Sequence, residues 1–150
     1  MSPILRLTIF LALGTAALGI RLGSADAAVA SVVHVIQLRG NRFTPAEVTV
    51  RAGDSLRFVN HPGGLHTIEF RKDVLTPAVR RLFEAAMPGR EVYAKLSDPP
   101  LSSPMLVRDD EAYEFAVPAL PPGRYEYFCE PHVGAGMKGA VIVAPSERTR

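Results

Sequence analysis

The sequence predicts an all-β fold, a two-sheet antiparallel sandwich interrupted by one short helical excursion. Three observations carry this expectation. Short segments alternate polar and apolar side chains, as half-buried strands do. Turn-forming residues separate them, with 12 Gly and 13 Pro among 150 residues. The alternation lapses over only one long stretch, Arg71 to Pro104, so strands at regular spacing dominate the chain.

Taken in order, Val32 to Leu38 is rich in Val and Ile, and Gly40-Asn41 turns the chain before the alternating strand Glu47 to Val50. Ala52-Gly53-Asp54 makes the next turn, and Ser55 to Asn60 alternates again with Leu56 and Phe58 on one face. His61-Pro62-Gly63-Gly64 breaks that run with residues suited to tight turns. His66 to Phe70 reads as the following strand, with His66, Ile68 and Phe70 on one face and Thr67 and Glu69 on the other. Inside the irregular stretch, Thr76 precedes Pro77, an N-cap followed by proline at the first helical position. Val79, Leu82, Phe83 and Ala86 then form one apolar stripe of a short helix that caps an open end of the core, and Pro88-Gly89 ends it. Asp98 to Pro104 is too rich in proline for regular structure and is expected to cover the surface as a loop. Tyr113 to Val117, Tyr125 to Cys129 and Gly139 to Val143 are the last strands, and Ser146 to Arg150 is expected to fray.

The N-terminus reads as a secretory signal. Arg6 precedes the apolar run Leu7 to Ile20, and Ser24-Ala25-Asp26-Ala27 ends in a small-x-small pattern. The run is shorter than the ~20 residues a spanning helix needs. Cleavage after Ala27 leaves one domain, residues 28–150, in the periplasm or outside the cell. The whole chain carries 17 basic and 15 acidic residues. Loss of Arg6, Arg21 and Asp26 brings the remainder still closer to neutrality, and its Lys and Arg are scattered singly, which excludes a nucleic-acid footprint.

Chemistry concentrates near the C-terminus, where Cys129-Glu-Pro-His132-Val-Gly-Ala-Gly-Met137 gathers a thiol, an imidazole and a thioether. Soft ligands of this kind select copper over harder divalent ions. Cys129 is the sole cysteine, so an intrachain disulfide is impossible, and metal ligation explains an unpaired cysteine in an exported protein. Pro131 stiffens the first turn of the loop, and Gly134 and Gly136 allow backbone angles that return Met137 toward the metal. A second imidazole must come from elsewhere. His34 lies inside the first strand and His61 in the turn itself, whereas His66 stands at a turn-strand junction and is the preferred ligand. Thr67 is a candidate to hydrogen-bond across to the Cys129 loop.

Asn60 through Phe70 (Asn-His-Pro-Gly-Gly-Leu-His-Thr-Ile-Glu-Phe) and Tyr125 through Gly139 (Tyr-Glu-Tyr-Phe-Cys-Glu-Pro-His-Val-Gly-Ala-Gly-Met-Lys-Gly) resemble the two copper-binding segments of plastocyanin. Phe43 through Phe58 is similar to the early strands of the same family. The resemblance to the plastocyanin-like blue copper family, the cupredoxins, implies a Greek-key β-sandwich and one type 1 copper ion held by His66, Cys129, His132 and Met137. It further implies that the His132 imidazole reaches the surface as an electron port within an apolar collar. The sequence departs from the pattern at Phe128, where plastocyanin has a tyrosine, in the longer spacing between His66 and Cys129, and in lacking a long acidic docking run.

The function expected is an exported, monomeric shuttle of single electrons between redox proteins such as a cytochrome or a membrane oxidoreductase. Four protein ligands leave no open position for a small-molecule substrate, so no enzyme is expected. A copper carrier or storage module holding Cu(I) is the alternative, but storage tends to multiply Met or Cys ligands, and only Met87, Met105 and Met137 follow the signal. Zinc gains little from a thioether, so Met137 argues against it. The stretch from Arg71 to Pro104 is expected to shield one side of the copper end.

Overall fold

The computed structural model describes residues 30–145. The signal and the C-terminal tail expected from sequence lie outside them. Eight strands form two four-stranded sheets: β1 (Val33–Arg39), β2 (Arg42–Thr44), β3 (Glu47–Val50), β4 (Ser55–Asn60), β5 (Glu69–Phe70), β6 (Ala112–Ala116), β7 (Gly123–Phe128) and β8 (Lys138–Val143). One sheet has the order β2-β1-β4-β6 and the other β3-β8-β7-β5. Alternation places one side of each strand in the shared core, including Ile36 and Leu38 of β1, Leu56 and Phe58 of β4, Tyr113 and Phe115 of β6, and Tyr125 and Tyr127 of β7.

The sandwich is not purely antiparallel. β1 runs parallel to β4, and β3 runs parallel to β8. After the β1-β2 hairpin the chain crosses to the other sheet for β3 and returns as β4 beside β1. The period-two pattern reports which face a side chain takes and carries no information about strand direction. Because β4 and β7 both point toward the same end, their C-terminal extensions bring His66 and Cys129 together there.

The expected helix forms as α1 (Pro77–Ala86), and the Thr76 hydroxyl accepts the Val79 N–H at its N-terminus. Val79 and Phe83 are buried, while Leu82 and Ala86 are partly buried. Phe83 stacks on Phe70 with ring centroids 4.2 Å apart and meets Tyr125 edge-on at 5.7 Å. At the far end of the helix the Tyr113 hydroxyl donates to the Pro88 carbonyl. The helix thus closes the side of the sandwich between the β5 edge of one sheet and the β6 edge of the other.

The segment beyond the helix behaves differently from a surface loop. Leu101, Ser102 and Ser103 are buried. Phe70 N–H donates to Leu101 carbonyl, Ser103 N–H to Ile68 carbonyl, and Ile68 N–H to the Ser103 hydroxyl. Side-chain and backbone groups of this proline-rich stretch therefore supply the partners that a regular neighbouring strand would have provided. They also shorten β5: only Glu69 and Phe70 are strand, and His66 sits upstream in an isolated bridge to Leu106.

Candidate metal centre

The centre is built at the end of the sandwich where β7 runs out. Cys129 follows β7 directly, its alternation with Tyr127 turning the side chain inward, and it is fully buried. The chain then winds through a 3-10 turn, Glu130–Ala135, that carries His132. Three backbone bonds fold this loop on itself: His132 N–H to Cys129 carbonyl at 3.1 Å, Met137 N–H to His132 carbonyl at 3.2 Å, and Cys129 N–H to Met137 carbonyl at 3.2 Å. Gly136, at φ 80°, takes the left-handed conformation that lets the chain reverse into β8. Met137 is consequently fully buried beside Cys129.

His66 arrives from the other side. Its N–H donates to the Leu106 carbonyl and its carbonyl accepts from the Leu106 N–H, at 3.1 and 2.8 Å, so both backbone groups are fixed. The Cys129 Sγ lies 3.5 Å from His66 Nδ1 and 3.4 Å from His132 Nδ1. The two imidazoles stand 4.9 Å apart between centroids, and the three ligating atoms all lie within 4.8 Å of one another. Sulfur and nitrogen ligands about 2.3 and 2.0 Å from one ion at a near-tetrahedral angle are separated by about 3.5 Å. The donor spacing and the donor types therefore fit a soft metal ion.

Burial sets the protonation of the metal-free site. It lifts the Cys129 thiol above its ordinary value, against the opposing pull of the Thr67 N–H, and it pushes the His66 imidazole down, with His132 adding to the effect. A neutral imidazole keeps its lone pair available for coordination, and a metal must displace the thiol proton. Thr67 supports the cysteine in two ways: its N–H points at Sγ at 3.5 Å, and its hydroxyl accepts the Glu130 N–H at 3.0 Å. This second bond is the cross-link expected from sequence, tying the His66 segment to the Cys129 loop.

The other histidines lie elsewhere. His34 Nε2 contacts the Asp54 carboxylate at 3.0 Å, and His61 pairs with Gln37 and Arg39. Phe128 is half-buried on the outer face of its sheet, where it lines a cavity of about 390 Å³ with Arg71, Val133 and Lys138. Three supporting residues escaped the sequence reading. Leu106 clamps the backbone of His66, and the Ser103 hydroxyl receives the next-but-one N–H. Asn60 is buried and donates through Nδ2 to the carbonyls of Gly64 and Arg108, at 3.2 and 2.9 Å. Only Asn60 left a signal, as a polar residue at an inward position of an otherwise apolar strand face.

Comparison with known proteins places this geometry. Residues 30–144 match the model of copper-binding proteins of the plastocyanin/azurin family. The chain belongs to that family. Among plastocyanins, the chloroplastic protein of Tetradesmus obliquus is 40% identical over 101 residues, covering 67% of this chain and 57% of its own. Plastocyanin A/B of Petroselinum crispum is 35% identical over 102 residues, 67% of this chain and 86% of that protein. The chain spans only 50% of the chloroplastic plastocyanin of Physcomitrium patens, at 35% identity. Among solved structures, a mutant fern plastocyanin superposes with a TM-score of 0.56 at 24% identity, over 74% of this chain and all of that one, which shows the same fold. A copper cofactor follows from the family together with the His66-Cys129-His132 group placed for a metal ion.

Proposed function

We propose that His66, Cys129, His132 and Met137 hold one copper ion in a type 1 site, and that the protein carries single electrons between redox partners. The observation that carries this reading is the convergence of two Nδ1 atoms on one buried sulfur, at 3.5 and 3.4 Å. When bound, copper supplies a one-electron couple and an intense thiolate charge-transfer absorption. The chain's own part is to hold the donors still and dry. His66, Cys129 and Met137 are fully buried, which excludes water, and the crossed backbone bonds of the loop with the Leu106 clamp resist movement when the charge changes. Met137, brought back by Gly136, would supply the thioether, the weaker of the donors.

His132 is the one ring of the group that is partly exposed, and it is the port through which an electron enters or leaves. Its sequence neighbour Val133 and the ligand neighbour Leu65 are exposed apolar side chains that suit a contact with a partner protein. The partners are redox proteins, such as a cytochrome or a membrane oxidoreductase, and the working form is a monomer exported after removal of residues 1–27. No helix of the described residues is long and apolar enough to cross a membrane. With every ligand supplied by the chain, the site shuttles electrons and performs no substrate turnover.

Copper loading of the mature domain tests the proposal. An intense blue absorption that Cys129→Ser abolishes and Met137→Leu preserves, at a raised potential, is expected. Tight Cu(I) binding with transfer of the ion to an apo partner, and no strong visible band in the Cu(II) form, would favour a carrier instead.

A further inference from the structure

The pair Gly63-Gly64 contains one glycine more than its turn needs. Gly63 takes φ 89°, a conformation that only glycine adopts without strain, and nothing lies within 4 Å of where its side chain would stand. Gly64 has no such backbone requirement. A Cβ placed on it would instead lie 2.0 Å from His66 Nε2, 2.6 Å from Cδ2 and 3.0 Å from Cε1. The imidazole occupies the space that any side chain at position 64 would fill.

We infer that Gly64 is a positioning residue for the metal centre: its bare Cα forms the wall against which the His66 ring rests, and this sets the direction of Nδ1 toward Cys129. Three contacts keep ring and wall in place. The Asn60 amide holds the Gly64 carbonyl at 3.2 Å, and the same amide holds the Arg108 carbonyl at 2.9 Å. Both backbone groups of His66 are bonded to Leu106, so the ring cannot retreat by a shift of the main chain. On its far side the ring faces Cys129 Sγ at 3.5 Å and His132 at 4.9 Å between centroids. A methyl group at position 64 must open its 2.0 Å contact to at least 3.0 Å, so the ring moves about 1 Å. A displacement of that size is large for a ligand whose geometry determines function. His66 Nε2 is buried without a hydrogen-bond partner among the described residues, so contact with Gly64, rather than a polar tether on that nitrogen, fixes the outer edge of the ring.

The inference rests on the copper reading above, and Gly64→Ala tests it. In metal-free protein the substitution should leave the fold intact, because the backbone at position 64 accepts alanine and the unfolded chain loses freedom. In copper-loaded protein the intensity ratio of the thiolate charge-transfer bands and the paramagnetic-resonance spectrum should change, and Cu(II) affinity should fall by about tenfold or more. A blue wild-type protein whose Gly64→Ala variant keeps the same spectra and affinity overturns this inference alone. A wild-type protein with no thiolate-to-copper band overturns the reading beneath it. Should Gly64→Ala fail to fold, metal-free His66→Ala and Gly64→Ala/His66→Ala proteins decide, since removing the ring removes the obstacle. Equal melting temperatures for that pair support the wall, and a much lower one for the double variant places the requirement in the backbone and overturns it.

Discussion

Replacing Phe83 with alanine separates the helix's structural role from the chemistry of the metal centre. Phe83 is the main side chain by which α1 reaches the core: it is buried, stacked on Phe70 at 4.2 Å and set edge-on to Tyr125 at 5.7 Å. Truncating a buried phenylalanine to alanine removes its transfer free energy and leaves a cavity, at a combined cost of about 3–5 kcal/mol. The loss of paired aromatic contacts accounts for about 0.5–1.5 kcal/mol of that for each partner. For a domain of this size each kcal/mol lowers the melting temperature by about 3–6 °C, so Phe83→Ala should melt about 10–30 °C below wild type. Thermal unfolding of metal-free protein, followed by circular dichroism, measures the loss. The copper spectrum of the same variant at 25 °C should be unchanged, because the aromatic contacts of Phe83 are to Phe70 of β5 and Tyr125 of β7. A loss below about 1 kcal/mol would refute the view that the helix closes the core. A full loss accompanied by an altered spectrum would refute the separation of helix from site.

Further outcomes follow from the same contacts. Tyr127→Phe should be neutral or stabilising by up to about 1 kcal/mol in denaturant titration, because the Tyr127 hydroxyl is buried with no partner among the described residues. Thr67→Val should cost about 1–3 kcal/mol and alter the copper spectrum, while Thr67→Ser retains both, since only the valine leaves the Glu130 N–H without its acceptor. Burial opposes ionisation of Asp54, but the N–H groups of Val32 and Arg51 and the His34 side chain outweigh it and hold the carboxyl below its ordinary 3.8. A carboxyl lowered on folding stabilises the protein at pH values above its unfolded pKa, and that stability is lost as pH falls through the lower folded one. Metal-free protein should therefore lose stability below about pH 4, and Asp54→Asn should flatten part of that slope while costing about 1–3 kcal/mol at pH 7. Arg57→Ala should change stability by less than about 1 kcal/mol, as its ion pair with Glu114 is exposed on both sides.

Much of the fold was legible because its signals are local. Thr76-Pro77 and the stripe through Val79 and Phe83 fixed the helix, and alternation marked which side of β4, β6 and β7 faces inward. Strand direction was not legible, so the parallel pairing of β1 with β4 and of β3 with β8 appears only in the assembled sheets. Asp98 to Pro104 was misread for a related reason. Proline argues against a ladder, yet Leu101 carbonyl and Ser103 serve Ile68 and Phe70 as a strand would, a pairing that depends on long-range packing. Near the candidate metal centre, the loop that carries Cys129, His132 and Met137 was legible as one unit because it has its own turn chemistry. The choice of His66 rested on its place after a turn, and the structure brings its Nδ1 to Cys129 Sγ. Of the residues around His66, Leu106 bonds its backbone from 40 positions further along the chain, a pairing no local spacing shows, while Gly64 lies against its ring from the preceding turn, whose carbonyl Asn60 holds.

The most direct test is the combined visible and paramagnetic-resonance spectrum of the mature domain titrated with Cu(II). One equivalent should give an intense blue charge-transfer band and the narrow copper hyperfine splitting of a covalent thiolate site. A colourless protein, or a spectrum of ordinary nitrogen and oxygen coordination, would contradict the proposed binding of a single redox-active ion by His66, Cys129 and His132.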